Sequence, residues 1–79
     1  MRLDKYLKVS RLIKRRTVAC DACTAGRVSV NGVIRKPSHE VVPGDVIEIR
    51  FGDKAVRAEV LSTEENVRKD AAKELFRYL

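Results

Sequence analysis

A change of hydrophobic period at Gly26 limits the folds open to this chain more than any other feature. Before it, apolar residues recur at helical spacing; after it, Val28-Ser29-Val30 alternates, as a half-buried strand does. Asn31-Gly32 follows at once and is a strong short-range hairpin signal, suited to a type I′ turn because both residues tolerate positive φ. Val33-Ile34-Arg35 then reads as the returning strand, ended by Pro37. The chain must place helices before a hairpin, which makes it α+β, and at 79 residues it has room for one small domain with a thin core.

Upstream of Gly26 two helices are predicted. In residues 2–9, Leu3, Tyr6 and Leu7 form a core stripe, while Arg2, Lys5 and Lys8 lie along the opposite arc. Residues 10–16, SRLIKRR, read as a tight connection with Leu12 and Ile13 tucked inward and Arg11, Lys14, Arg15 and Arg16 outside. Residues 16–25 form the second helix, with Gly26 at its C′ position. Val18, Ala19, Cys20, Ala22, Cys23 and Ala25 make its apolar arc wide, and Thr17, Asp21 and Thr24 face out. Nearly all of the arc is Ala or Cys, so close packing against a neighbouring helix and a sheet is expected.

Downstream, Pro43-Gly44-Asp45 is a turn, 46–51 alternates, Gly52-Asp53-Lys54 turns again, and 55–61 is a further strand. The tail 66–79 has helical spacing at Val67, Ala71, Leu75 and Tyr78 and is expected to be a third helix. The expected whole is one unit over 1–79, with a core in about 1–50 and the last strand and C-terminal helix in about 51–79.

Charge is divided along the chain. Residues 1–36 carry ten Lys/Arg and two Asp/Glu, which is +8; residues 37–79 carry seven and nine, which is −2; the sum is the overall +6. A basic half of this strength points to a polyanion, and nucleic acid is the foremost candidate. No apolar run approaches the roughly 20 residues of a membrane span, and Arg2, Asp4, Lys5, Lys8 and Arg11 interrupt any signal-peptide core. Two cysteines are too few for a disulfide framework, so a reducing cytoplasm is expected.

The eye-catching motif is Cys20-x-x-Cys23. A structural zinc wants four ligands, and the chain adds only His39 to these two thiols. A redox CxxC sits at a helix N-terminus, whereas these cysteines lie deeper, on the apolar arc. They read as small packing residues. Ser38-His39-Glu40 puts a hydroxyl, an imidazole and a carboxylate in sequence, but neighbours in an extended segment point to opposite faces and make no nucleophile–base pair. No phosphate-binding glycine loop is present either. The expectation is a non-enzymatic protein without metal or cofactor.

Taken together, Arg2-Leu3-Asp4-Lys5-Tyr6-Leu7, Arg16, Ala19, Gly26-Arg27-Val28-Ser29-Val30-Asn31-Gly32, Lys36-Pro37-Ser38 and Pro43-Gly44-Asp45-Val46-Ile47 resemble the S-four RNA-binding domain. The free-standing size and Asn66-Val67-Arg68-Lys69-Asp70-Ala71-Ala72 are similar to the RqcP and heat-shock protein fifteen family within it. That resemblance implies the alpha-L RNA-binding fold, with two N-terminal helices on a small, mainly antiparallel curved sheet. It implies binding to large-subunit ribosomal RNA beside peptidyl-tRNA, in C-terminal tailing of stalled nascent chains with an RqcH-type factor, by a cytoplasmic monomer. The RNA-binding candidates are Arg2, Lys5, Lys8, Arg11, Lys14, Arg15, Arg16, Arg27, Arg35 and Lys36, with Arg2 and Arg16 on the family's motif positions. Asp4, an acid in a basic face, either orients a neighbouring arginine or caps the helix. A DNA-reading helix-turn-helix is disfavoured, because the second helix shows no Arg, Lys, Asn or Gln row to base edges.

Overall fold

The computed structural model describes residues 1–63 and 75–79. Two helices, α1 (Leu3–Val9) and α2 (Arg16–Thr24), precede five strands: β1 (Val28–Val30), β2 (Val33–Ile34), β3 (Val46–Phe51), β4 (Lys54–Val60) and β5 (Phe76–Tyr78). The strands form one sheet in the order β2-β1-β3-β4-β5, with every neighbouring pair antiparallel.

At seven residues, α1 is too short to persist by itself. Tertiary contacts hold it at its start and its middle. Its first amides, on Leu3 and Asp4, donate to the carbonyls of His39 and Pro37 at 2.8 and 3.2 Å, so the 37–40 loop supplies the partners a capping side chain would give. Leu3, Tyr6 and Leu7 are buried in a core with Ile13, Ala19, Cys23, Val28, Val30, Ile47 and Ile49. From its middle, the Tyr6 hydroxyl donates to the Leu75 carbonyl at 2.6 Å, which ties the first helix to the last described segment.

The period change at Gly26 has the expected geometry. Gly26 has φ 75°, its amide donates to Cys23 and the Arg27 amide donates to Ala22, which is a complete Schellman closure of α2. Asn31 and Gly32 have φ of 53° and 84°, the type I′ pair that matches strand twist. The Asn31 side chain then reaches across: its amide donates to Asp45 at 3.0 Å and its oxygen accepts from the Val46 amide at 2.9 Å. Register places Val28 opposite Ile49 and Val30 opposite Ile47, so the alternating valines enter the core together.

Two expectations need correction. Residues 76–78 are a strand and not the end of a helix; the rest of the expected helix lies outside the described residues apart from Leu75, which precedes the strand. Phe76-Arg77-Tyr78 satisfies period two as well as helical spacing, and β4 presents an open edge whose amides and carbonyls need partners. Pairing puts Phe76 opposite Val60 and Arg77 opposite Glu59, where the two charges meet at 2.7 Å. The wide apolar arc of α2 is the second correction: Ala19 and Cys23 are buried, Cys20 and Ala22 half-buried, and Val18 and Ala25 exposed. The helix packs mainly on α1 and only touches β1, so one side of the arc meets no partner among the described residues.

Burial pushes the Cys23 thiol up from its ordinary 9.0 to about 11, with the nearby Asp4 and Cys20 adding to the shift, and burial raises the Tyr6 phenol further. Both groups hold their protons more tightly folded than unfolded. Their contribution to stability is complete below the unfolded values and is lost as pH rises towards the folded ones. We therefore expect a melting temperature that falls from about pH 9 to about 11, and a shallower fall in Cys23→Ala. An identical slope in the variant would contradict the assignment.

Candidate nucleic-acid interface

The centre of the basic half is a carboxylate. The Asp4 side chain is only 4% exposed. It accepts from Arg2 Nε at 3.2 Å and Arg2 Nη2 at 3.3 Å, accepts from the Lys5 amide at 2.8 Å, and lies 3.6 Å from Arg16 Nε. Both roles expected of Asp4 are therefore filled: it orients arginines and satisfies an amide in the first turn of α1. Arg2 is the extended residue just before α1, and Arg16 is the first residue of α2. One buried acid thus fixes the starts of both helices relative to each other.

Arg2 and Arg16 remain 51% and 46% exposed. Each turns one edge of its guanidinium to Asp4 and keeps other N–H donors for solvent. A guanidinium held at one edge loses little rotamer freedom when the other edge binds, and its planar fork matches two phosphate oxygens. Asp4 lowers the net charge of this face while it aims what remains.

The other candidates fall into groups. Arg35 and Lys36 line, with Arg2, an open groove of about 610 Å³ between the 34–38 loop and the inner side of α2, floored by Cys20, Cys23 and Ile34. Lys8, Arg11, Lys14 and Arg15 are exposed around the helix corner, and Lys5 is half-buried. None of Lys8, Arg11, Lys14, Arg15, Arg27, Arg35 and Lys36 forms an ion pair among the described residues. Arg27 stands apart from Arg2, Arg16, Arg35 and Lys36: it lines two other grooves, each shared with Arg50. Arg50 was invisible to charge counting because it belongs to the acidic half of the chain. Only the pairing of β1 with β3, through the Arg50 amide and the Arg27 carbonyl at 2.9 Å, brings it here.

Arg11 has φ 65° directly after the C-cap of α1, a position where glycine is customary. Its amide donates to Lys8 at 3.1 Å and the buried Ser10 hydroxyl donates to Leu7 at 3.3 Å, so the bend is fully bonded despite the strain. The cysteines belong to the scaffold. Cys23 is buried with a raised thiol pKa, the reverse of an activated redox cysteine. His39 is half-buried beside the turn at Pro37-Ser38, and its carbonyl caps α1. Among the described residues, no helix is long and apolar enough to cross a membrane.

These features agree with what the chain resembles. Residues 1–47 match the S4 domain family. Over its full length the chain is 56% identical to a Listeria innocua protein called RQC P-site tRNA stabilizing factor, covering 86% of that relative. It is 47% identical to the Bacillus subtilis protein of the same name, covering 92% of it. Its fold superposes on the trimeric structure of Vibrio cholerae heat shock protein 15 with a TM-score of 0.90 at 31% identity, covering all of this chain and 81% of that one. The chain belongs to the S4-domain proteins, and within them to the RqcP and heat-shock protein fifteen family.

Two substitutions separate charge from geometry. Asp4→Ala removes a negative charge, which by Coulomb attraction alone would strengthen polyanion binding. We expect weaker RNA binding instead, with a stability loss of about 1–3 kcal/mol from the unclamped helix starts, measured by filter binding and thermal melts. Arg11→Gly relieves the positive φ and is expected to raise stability by about 1 kcal/mol while it weakens RNA binding. A variant that loses both properties would show that Arg11 is structural.

Proposed function

We propose that this protein is a non-enzymatic RNA-binding factor that seats on large-subunit ribosomal RNA, beside peptidyl-tRNA, during rescue of stalled nascent chains. In this reading α1 and α2 act as the alpha-L element. The whole chain serves as one cytoplasmic RNA-binding unit, active as a monomer, and supports C-terminal tailing by an RqcH-type factor. The single observation that carries it is the Asp4 clamp, which presents two half-exposed arginines beside a set of cations that form no ion pair among the described residues. Surface cations on an ordinary soluble face are commonly matched by neighbouring acids; here the matching acid is buried and serves to aim. The names of the relatives point the same way, to a P-site tRNA on a ribosome.

Recognition of this kind suits structured RNA. An A-form helix is read through phosphates and 2′-hydroxyls and not through its deep major groove. A face of separate, outward guanidinium and ammonium groups matches that surface. Duplex DNA is a poorer partner, because Thr17, Asp21 and Thr24 on the exposed side of α2 offer no bidentate reader of base edges.

The deciding measurement is co-sedimentation. The protein should travel with large subunits that carry peptidyl-tRNA, and migration with small subunits, or with none, would refute the placement. Arg16→Ala should abolish co-sedimentation while lowering the melting temperature by no more than Asp4→Ala does, because Arg2 still bonds the buried acid. If about six phosphates are engaged, affinity should drop by roughly a thousandfold between about 50 and 200 mM salt.

A further inference from the structure

One side of α2 meets no partner among the described residues. Val18 and Phe51 are large apolar residues that leave 50% and 49% of their surface in water. They line one open groove of about 330 Å³, where the Val18-Ala22-Ala25 stripe of α2 meets the end of β3. Arg27, Arg50 and Asp21 stand at its rim. Single exposed apolar residues are ordinary on protein surfaces, but two in one cleft bordered by two arginines form a surface with chemical content.

We propose that this groove takes one unpaired nucleotide of the bound RNA, with its base against Phe51 and Val18 and its phosphate on Arg27 and Arg50. This inference rests on the RNA-binding reading above. Charge complementarity selects the occupant. Arg27 has no ion pair among the described residues, and Arg50 is 3.9 Å from its one carboxylate, Glu48. A nucleotide has the same division as the groove, an apolar π-face joined to an anion, and base–aromatic stacking tolerates any base. Asp21 is an acceptor only, so it favours a base edge rich in N–H donors, as guanine's is. The base must be unpaired, because a duplex hides its faces. A peptide strand fits less well, because the end of β3 at this groove is paired with β4 and its Arg50 amide is taken by the Arg27 carbonyl.

The test uses two labelled RNA hairpins of identical stem, one carrying a single bulged guanosine, with fluorescence anisotropy as readout. The wild-type chain should bind the bulged hairpin about tenfold more tightly. Phe51→Ser, at an exposed position and checked by thermal melting, should bring the bulged hairpin down to the paired one and leave the paired one unchanged. Arg16→Ala should weaken both equally. Equal wild-type affinities, or a bulge preference that survives Phe51→Ser, would overturn the proposal while leaving the RNA-binding reading intact. Failure of both hairpins to bind at low salt would remove that reading and this one with it. Should Phe51→Ser spare both hairpins yet weaken co-sedimentation with ribosomal subunits, the groove takes a protein segment and the nucleotide assignment is wrong.

Discussion

The rest of this surface depends on one buried carboxylate. Asp4 accepts from Arg2 and lies at ion-pair distance from Arg16, and these two residues begin the two helices. Burying a charge is costly unless it is paired and bonded. Here the cost is offset by the two guanidiniums, and the return is positional. Without Asp4, like charges at the helix starts would repel and the arginines would sample many rotamers. With it, each arginine has one edge fixed and another free.

That clamp requires the helices to approach closely, and the small residues on α2 make this possible. Ala19 and Cys23 are buried where larger side chains would push α2 away from α1. The same requirement bears on Cys23. The environment that makes cysteine useful as a small apolar filler, a dry site near a carboxylate, also disfavours its thiolate. The corner between the helices shows a comparable trade. Arg11 occupies a backbone region that glycine enters without strain, and keeps a cation at the bend.

The sheet is a brace. Its inward residues close the core under α1, and the 37–40 loop caps that helix by backbone carbonyls alone. The hairpin and the following turn are joined through Asn31 and Asp45, so the loop that caps α1 is anchored to the sheet on its far side. The Tyr6–Leu75 bond extends the same bracing to the C-terminal segment. A short helix that would be unstable in water becomes a rigid mount for Arg2 because its start and its middle are bonded to other parts of the chain.

Local chemistry made much of this legible in the sequence. The Gly26 exit, the Asn31-Gly32 turn, the alternating valines and the basic first half all follow from φ preferences, side-chain period and charge. These depend on neighbours in the chain, so the core stripe of Leu3, Tyr6 and Leu7 was identifiable without coordinates, whereas Arg2 and Arg16 were singled out by the family resemblance. Three features depended on partners distant in sequence. Phe76-Arg77-Tyr78 satisfies both periods, and only the open edge of β4 made it a strand. Asp4 had two plausible roles, and only the arrival of α2 showed that it serves Arg16 as well as Arg2. Val18 and Phe51 read as ordinary apolar residues, and their exposure beside Arg27 and Arg50 arose because α2 spends its packing surface on α1 and has one side that no described residue covers. Backbone preference and pattern are set within a few residues, whereas which face is covered is set by what folds against it.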